Sequence, residues 1–373
     1  MAFGKHNHVK IDPLSYSMFV LGESKIGKTT LVREVCEKLA GENGYLFLEL
    51  GQEHGADAIE GINYINCPKW DMEYDELTNS AGFADVVDDI VANKSKEYGD
   101  LKCVILDTYD QLITLAEEKT INLYNRQNPD KKVMSINQAW GGYGRGNDKA
   151  IELMLNKIAE LDNVGVKTIV IGHVKVKEVN DVMTGLQYNQ LTSDQTQKYF
   201  NAIKKNMHIM ALIYKDRKII PDANGKNYIQ DEVRKIKFRD SSFTVDSGCR
   251  FAEIAEEVDF SADDFIKAIE DAIKAEQAKS SISYADEKKA EEKNKKKFNE
   301  RVKKAEEARD IEKELEDMKL QIRDFCVAKK NEGDSSWQGA LAEVMKDLGY
   351  DTANPVAITT LEDAKKVYET ISK

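Results

Sequence analysis

The sequence predicts an α/β fold with a mostly parallel central sheet, followed by a long charged helix and a small helical module. Three observations predict it. Strand-like and helix-like segments alternate from residue 15 to about 250. The strand-like segments are near-continuous apolar runs, the pattern of parallel strands covered on both faces. After Phe260 the strand-like runs cease and charge takes over.

Each element has its own signal. "YSMFV" reads as a short apolar strand. "TLVREVCEKLAG" places Leu31, Val35 and Leu39 four apart, a helix closed by Gly41. "YLFLEL" (Tyr45–Leu50) is a strand, "FADVVDDIVANKS" a helix, and "KCVILDTY" (Lys102–Tyr109) a buried strand. "DKAIELMLNKIAEL" carries Ile151, Met154, Leu155 and Ile158 at helical spacing, and "KTIVIGHV" (Lys167–Val174) is another buried strand. "HIMALIYKDRKII" and "VRKIKFRDSSFTV" read as later strands, antiparallel at the sheet edge. Beyond them, Ser261 is placed to cap a helix "ADDFIKAIEDAIKAEQAK". From Glu287 to Asp317 most residues are charged, yet Ile311, Leu315, Met318, Ile322 and Phe325 keep helical spacing. That stripe fits a short coiled coil or a solvated linker helix equally. "SSWQGALAEVMKDLGY" and "TTLEDAKKVYETI" read as two helices, the second opened by a capping box from Thr359 to Glu362. The expected organisation is a core over 1–260, a charged helical or coiled-coil linker over 261–330 and a small module over 331–373.

Composition excludes some classes. The net charge of −12 over 373 residues gives no global field toward nucleic acid, so any such binding has to use a local patch. The five cysteines are scattered and form no C-x-x-C, which argues against zinc and fits a reducing, cytoplasmic setting. "HNH" at His6–His8 reads as a solvated tail. There is no apolar leader and no run of eighteen apolar residues, so no membrane span is expected.

The chemistry is concentrated in "GESKIGKTT", Gly22–Thr30. It matches G-x-x-x-x-G-K-S/T and stands between a strand and a helix, the context a phosphate-cradling loop requires. Gly22 and Gly27 let the backbone turn its N–H groups inward, with Glu23, Ser24, Lys25 and Ile26 completing the cradle. Lys28 brings a cation to the outer phosphates, Thr29 a hydroxyl for Mg²⁺, and Thr30 follows on the helix whose N-terminus favours anions. Asp107, after four apolar residues at the end of a buried strand, is the expected acid for Mg²⁺ opposite Thr29. Glu53, in "LFLELGQEHGAD", is placed to orient an attacking water. Glu49 and Asp110 are the competing acids.

The order of these pieces resembles the RecA-type ATPase core: the phosphate loop, a strand leading to "QEHGAD", then "LDTYDQL", then "VIGHVK". Together with "AWGGYGRGN" and "KFRDSSFTVDSGCRF", it is similar to the phage-encoded single-core RecA-like ATPases, some of which act in recombination and strand annealing. The resemblance covers roughly residues 15–255, with no second RecA-type domain. It implies ATP and Mg²⁺ as cofactors, Lys28, Glu53 and Asp107 as catalytic residues, and His173 as a sensor of the terminal phosphate. It also implies a basic finger from a neighbouring subunit, for which Arg250 is favoured over Arg239, Lys215 and Arg217, and hence a homo-oligomeric ring or filament. The lack of N-K-x-D favours ATP over GTP.

Such enzymes bind single-stranded DNA on loops after central strands. One candidate, residues 125–149, mixes Arg126, Lys131, Lys132, Arg145 and Lys149 with Trp140 and Tyr143. A second, after Val174, offers Lys175, Lys177 and Tyr188. A long loop packing on a neighbouring subunit fits these segments equally, since acids occur in both. The expected activity is therefore ATP hydrolysis coupled to single-stranded DNA in phage recombination or replication. A helicase or helicase-loader motor is one alternative. An assembly ATPase that recruits a protein partner through its C-terminal helices, without binding DNA, is another.

Overall fold

The computed structural model describes residues 7–52, 54–180, 185–221, 226–241, 246–280 and 282–372. The chain divides into two compact units, Met1–Lys295 and Lys296–Lys373. His6 lies outside the described residues.

In the first unit, the chain opens with β1 (Met18–Gly22), α1 (Lys28–Ala40), β2 (Tyr45–Leu50), β3 (Tyr64–Lys69), β4 (Ser80–Gly82) and α2 (Phe83–Ala92). It continues through β5 (Cys103–Asp107), α3 (Tyr109–Gln127), α4 (Arg145–Asn163), β6 (Lys167–Asn180), β7 (Gln187–Ser193) and α5 (Gln197–Lys204). Then follow β8 (Ile209–Pro221), β9 (Asn227–Lys237), β10 (Gly248–Cys249), β11 (Glu257–Asp259) and α6 (Ala262–Gln277). All strands join one sheet of order β11-β9-β8-β1-β6-β5-β2-β3-β4, with β10 on β8 and β7 on β6. From β8 through β1, β6, β5, β2 and β3 to β4, every neighbouring pair is parallel. This is the mixed α/β, mostly parallel architecture the alternating pattern predicts.

Parallel pairing buries the central strands on both faces, and all five residues of both β1 and β5 are buried. Met18 and Val20 face the side covered by α1 and α6, among Leu31, Val35, Phe265 and Ile269. Phe19 faces the other side, edge-on to Tyr109 of α3. Helix α1 forms because Leu31, Val32, Val35 and Cys36 make one buried stripe, and it ends at Gly41 with φ +75°.

Several expectations are revised here. β8 is an interior strand, parallel to β1 over Ile209–Ile213 and antiparallel to β9. Its apolar first half belongs in the core, and only its charged second half runs out as a hairpin arm. β6 likewise continues past the sheet and pairs antiparallel with β7, so the segment after Val174, read as a loop, is a hairpin. The first candidate DNA loop is shorter than read, because α3 extends through Gln127 and α4 begins at Arg145. The helix after Ser261, grouped by sequence with the charged segment, buries Phe265, Ile269, Ala272 and Ile273 in the first unit's core.

The division between units falls within α7 (Tyr284–Asn331). In the second unit, its last turns pack with α8 (Ser336–Asp347) and α9 (Leu361–Ile371) around Ile322, Leu341, Met345, Ile358 and Val367. The stripe from Leu315 to Phe325 therefore faces a local core, while Ile311 stays exposed. The cap of α9 is Thr360, whose hydroxyl accepts from the Asp363 N–H at 3.2 Å, one position beyond the predicted box. Among the described residues, no helix is long and apolar enough to cross a membrane.

Candidate nucleotide site

The site lies where β1 ends. Gly22 is hemmed in: a Cβ there would approach Ile26 Cγ2 at 3.0 Å and the Ile213 carbonyl oxygen at 3.1 Å. The loop then turns through two left-handed residues, Lys25 with φ 61° and Gly27 with φ 107°. Such turns point successive N–H groups into one concavity, which suits an anion. Buried Ile26 anchors the loop in the core, while Ser24 and Lys25 face solvent, as does Thr30 at the start of α1. The ammonium of Lys28 is buried and donates to the carbonyl oxygens of Gly22 at 3.1 Å and Glu23 at 2.9 Å, which stretches the side chain along the loop.

Across the sheet, Thr29 Oγ1 donates to Asp107 Oδ2 at 2.7 Å. Two residues far apart in sequence thus place a hydroxyl and a carboxylate side by side at the mouth of the loop, a hard oxygen pair that fits a Mg²⁺ ion. The peptide bond that follows, Asp107–Thr108, is cis.

Asp107 has an acid beside it. Glu49 of β2 stands opposite Asp107 in register and is buried. One of its oxygens accepts the Ala56 N–H; the other, Oε2, is buried without a hydrogen-bond partner among the described residues. Burial pushes the Glu49 carboxyl above its ordinary range, and the charge of Asp107 adds to the shift. Glu53, the expected water-orienting acid, lies outside the described residues.

His173 sits opposite Gly22 in the β1–β6 register, at the point where β6 leaves the core. It is a mid-strand residue, where the sequence suggests a strand end. Its Nδ1 is 3.3 Å from Asp110 Oδ1. The bond to Asp110 holds the imidazole above its ordinary pKa, against burial and the nearby Lys28 charge. Burial, the largest single influence, would raise Asp110, but the hydrogen bonds from His173 and Thr108 and the His173 charge together outweigh it and leave the carboxyl below its usual range.

One residue near the loop is absent from the sequence reading. Arg234, on β9, donates from Nη1 to the Ile26 carbonyl oxygen at 3.0 Å and stacks 4.0 Å from the Phe260 ring centroid. A Cβ at Gly27 would meet that nitrogen at 2.8 Å. Only sheet pairing brings Arg234, some two hundred positions away, to the loop. The one sequence signal is its place in the basic strand "VRKIKF".

The basic residues expected to reach a neighbour are held within their own chain. Arg250 donates to the carbonyl oxygens of Lys205 at 2.8 Å and Met207 at 3.3 Å. Arg239 donates to those of Phe251, Ala252 and Ile254. Lys215 and Arg217 pair with Glu232 at 2.9 and 2.7 Å.

The expected DNA residues are spread over several elements. Arg126 lies in the last turn of α3, Arg145 opens α4, and Lys131 and Lys132 lie exposed between them. Trp140 is turned inward, edge-on to Tyr124, with its indole N–H donating to the Thr120 carbonyl oxygen at 3.4 Å. Tyr143 is fully exposed with φ 51°. On the β6–β7 hairpin, Lys175 donates to the Asp194 carbonyl oxygen at 3.0 Å, while Lys177 and Tyr188 are exposed.

Residues 14–242, more than half of the chain, match the model of a protein family described as an AAA domain. The matched span holds the loop, Glu49, Asp107, His173 and Arg234, and ends before Arg250, α6 and the second unit. A search of curated proteins gives no match.

Proposed function

This chain belongs to the AAA-domain family, and on that premise we propose that it is a RecA-like ATPase that hydrolyses Mg²⁺·ATP at the Gly22–Thr30 loop. The observation that carries the reading is the contact between the Thr29 hydroxyl and the Asp107 carboxylate at the mouth of the phosphate cradle. The loop amides and Lys28 bind the phosphates, and Thr29 and Asp107 hold Mg²⁺. The bound ion neutralises charge on the outer phosphates. His173, held by Asp110 and with its pKa raised by that bond, stands beside Gly22 as the proposed sensor of the terminal phosphate. Glu53 is the proposed water-orienting acid, with Glu49 the acid that lies next to Asp107.

The proposed work of this cycle is on single-stranded DNA, as a homo-oligomer, in phage recombination or replication in the host cytoplasm. The exposed Tyr143, two residues before Arg145 and in the same α3–α4 connection as the exposed Lys131 and Lys132, supports it, since aromatics stack on bases while cations meet phosphates. The inward-turned Trp140 and the net charge of −12 favour the second reading, an assembly ATPase without DNA binding.

The experiment is ATP turnover with and without single-stranded DNA, with Lys28→Ala as the blank. Turnover that DNA stimulates and the variant lacks supports the first reading. Turnover indifferent to DNA, with no DNA retention at low salt, leaves the second. No turnover in any condition overturns the hydrolase itself.

A further inference from the structure

The second unit contains an apolar groove of about 630 Å³, a size typical of ligand-binding clefts. Its floor is apolar: Leu320 and Val327 from α7, Trp337 and Leu341 from α8, and Pro355 and Val356 from the turn before α9. Leu320 and Val327 lie seven residues apart on one face of α7 and are 45% and 52% exposed. Their stripe is distinct from the Leu315–Phe325 stripe that packs on α8 and α9, so α7 has a second apolar face that its own unit leaves uncovered. The rim carries three bases, Lys319, Arg323 and Lys330, and one acid, Glu316; Lys319 pairs with Glu316 at 2.9 Å and Arg323 with the neighbouring exposed Asp324 at 3.1 Å, surface pairs that an incoming acid can exchange. In a chain of net charge −12 this is a local reversal of sign.

The chain also carries a segment of the complementary kind. Residues 71–77 read "DMEYDEL", with four acids and no base. Tyr74 is 61% exposed and Leu77 97% exposed. The turn that holds them is fixed. Asp75 accepts the Leu77 N–H and the Thr78 hydroxyl, each at 3.0 Å. The backbones of Asp75 and Ser80 bond each other in both directions, at 2.8 and 3.1 Å. Lys119 pairs with Asp71 at the base. An aromatic and a leucine three residues apart, flanked by Glu73 and Glu76, are thus held outward on a rigid turn. Pre-ordering of this kind lowers the entropy lost on binding.

We infer that the basic-rimmed groove of the second unit is a self-assembly site that takes the Tyr74–Leu77 turn of another copy of this chain. Tyr74 and Leu77 enter the apolar floor, and Glu73 and Glu76 meet Lys319, Arg323 and Lys330 at the rim. Because the two surfaces differ, the contact is head-to-tail, and it joins copies into a closed ring, of which a reciprocal dimer is the smallest, or into a filament. It gives a route to the proposed homo-oligomer that requires no nucleotide.

The test is sedimentation velocity of the full chain over a range of concentrations, without nucleotide or DNA, so that its outcome is independent of the ATPase reading. Wild-type protein is expected to shift to larger species as concentration rises. Leu77→Lys and Val327→Glu, both on exposed positions, are each expected to remain monomeric with unchanged circular dichroism. The paired reversal, Glu73→Lys and Glu76→Lys in one copy mixed with Arg323→Glu and Lys330→Glu in another, is expected to restore association. A synthetic peptide of residues 71–78 is expected to change Trp337 fluorescence in the wild type, not in Val327→Glu, and to dissolve the oligomers. Monomers at every concentration, or oligomers that persist in both variants, overturn the inference. Peptide binding without self-association also overturns it, and shows that the groove takes an acidic, apolar segment from its own chain or from another protein.

Discussion

The hydroxyl of Thr29, at the start of α1, lies 2.7 Å from the carboxylate of Asp107, at the end of β5. The register places this contact. β1 and β5 each pair with β6, one on either side, so the loop after β1 and the end of β5 meet above the same strand. Replacing Thr29 by Val keeps the shape and removes the oxygen. The Mg²⁺ concentration for half-maximal turnover is expected to rise by at least roughly 10-fold, since losing even an outer-shell partner of a metal costs about 10- to 100-fold in affinity. Asp107→Asn, which removes charge as well, is expected to lose turnover at every Mg²⁺ concentration while still binding nucleotide. Turnover against Mg²⁺, alongside fluorescent-nucleotide binding, checks both.

Arg234 holds the phosphate loop from outside, through one hydrogen bond to the Ile26 carbonyl oxygen and a stack on Phe260. Removing it frees the turn at Ile26 and Gly27 without touching Lys28 or Thr29. Arg234→Ala is expected to raise KM for ATP several-fold with a smaller change in kcat, since a hydrogen bond from a charged donor contributes about 1.5–3 kcal/mol at most. Arg234→Lys is expected to rescue poorly, because an ammonium cannot both stack flat on a ring and donate sideways. Steady-state kinetics on the three proteins separate the outcomes, and a change confined to kcat would count against a positioning role.

His173 and Asp110 carry opposite shifts, the imidazole held up and the carboxyl held down. A histidine whose folded pKa is raised contributes stability fully below its unfolded pKa, about 6.5, and loses it as pH rises through the folded value. The carboxyl's contribution is lost as pH falls through its depressed value. The pair therefore stabilises the fold in the acidic range between those limits. Asp110→Asn is expected to lower the His173 pKa in an NMR titration, and to cost stability near pH 5.5 but little near pH 9 in chemical denaturation. Equal losses at both pH values would show that the pair acts by shape alone.

Much of this architecture was legible because it depends on local pattern. The Tyr45–Leu50 strand coincides with β2, Gly41 closes α1, and Ser261 caps α6 by accepting the Asp264 N–H at 3.0 Å. A phosphate loop is also local, since glycine spacing and a lysine suffice to define it. Arg234 was illegible because nothing in its neighbourhood marks it; only antiparallel pairing of β9 with β8, itself paired with β1, brings it to the loop. The hairpin arms were misread for a related reason. Polar, exposed strands such as Lys175–Asn180 lack the apolar alternation that marks a half-buried strand, and cross-strand bonding alone holds them extended. Trp140 shows the limit for binding residues: an aromatic among glycines and bases suggests a stacking platform, yet its ring is used inside the fold against Tyr124.

The second unit has its own core, distinct in its residues from the core of the first unit. Ile322 is fully buried at its centre, among Leu341, Met345, Ile358 and Val367. Ile322→Ala removes three buried carbons and leaves a cavity, a change that costs about 2–5 kcal/mol. The expected result is a lower melting temperature for a transition that nucleotide does not shift, with ATP affinity unchanged. Nucleotide stabilises only what binds it, so a second transition is expected to rise with ATP concentration in both the wild type and the variant. Differential scanning calorimetry with and without Mg²⁺·ATP resolves the two. A single transition that Ile322→Ala lowers and ATP raises would mean that the two cores unfold as one cooperative block.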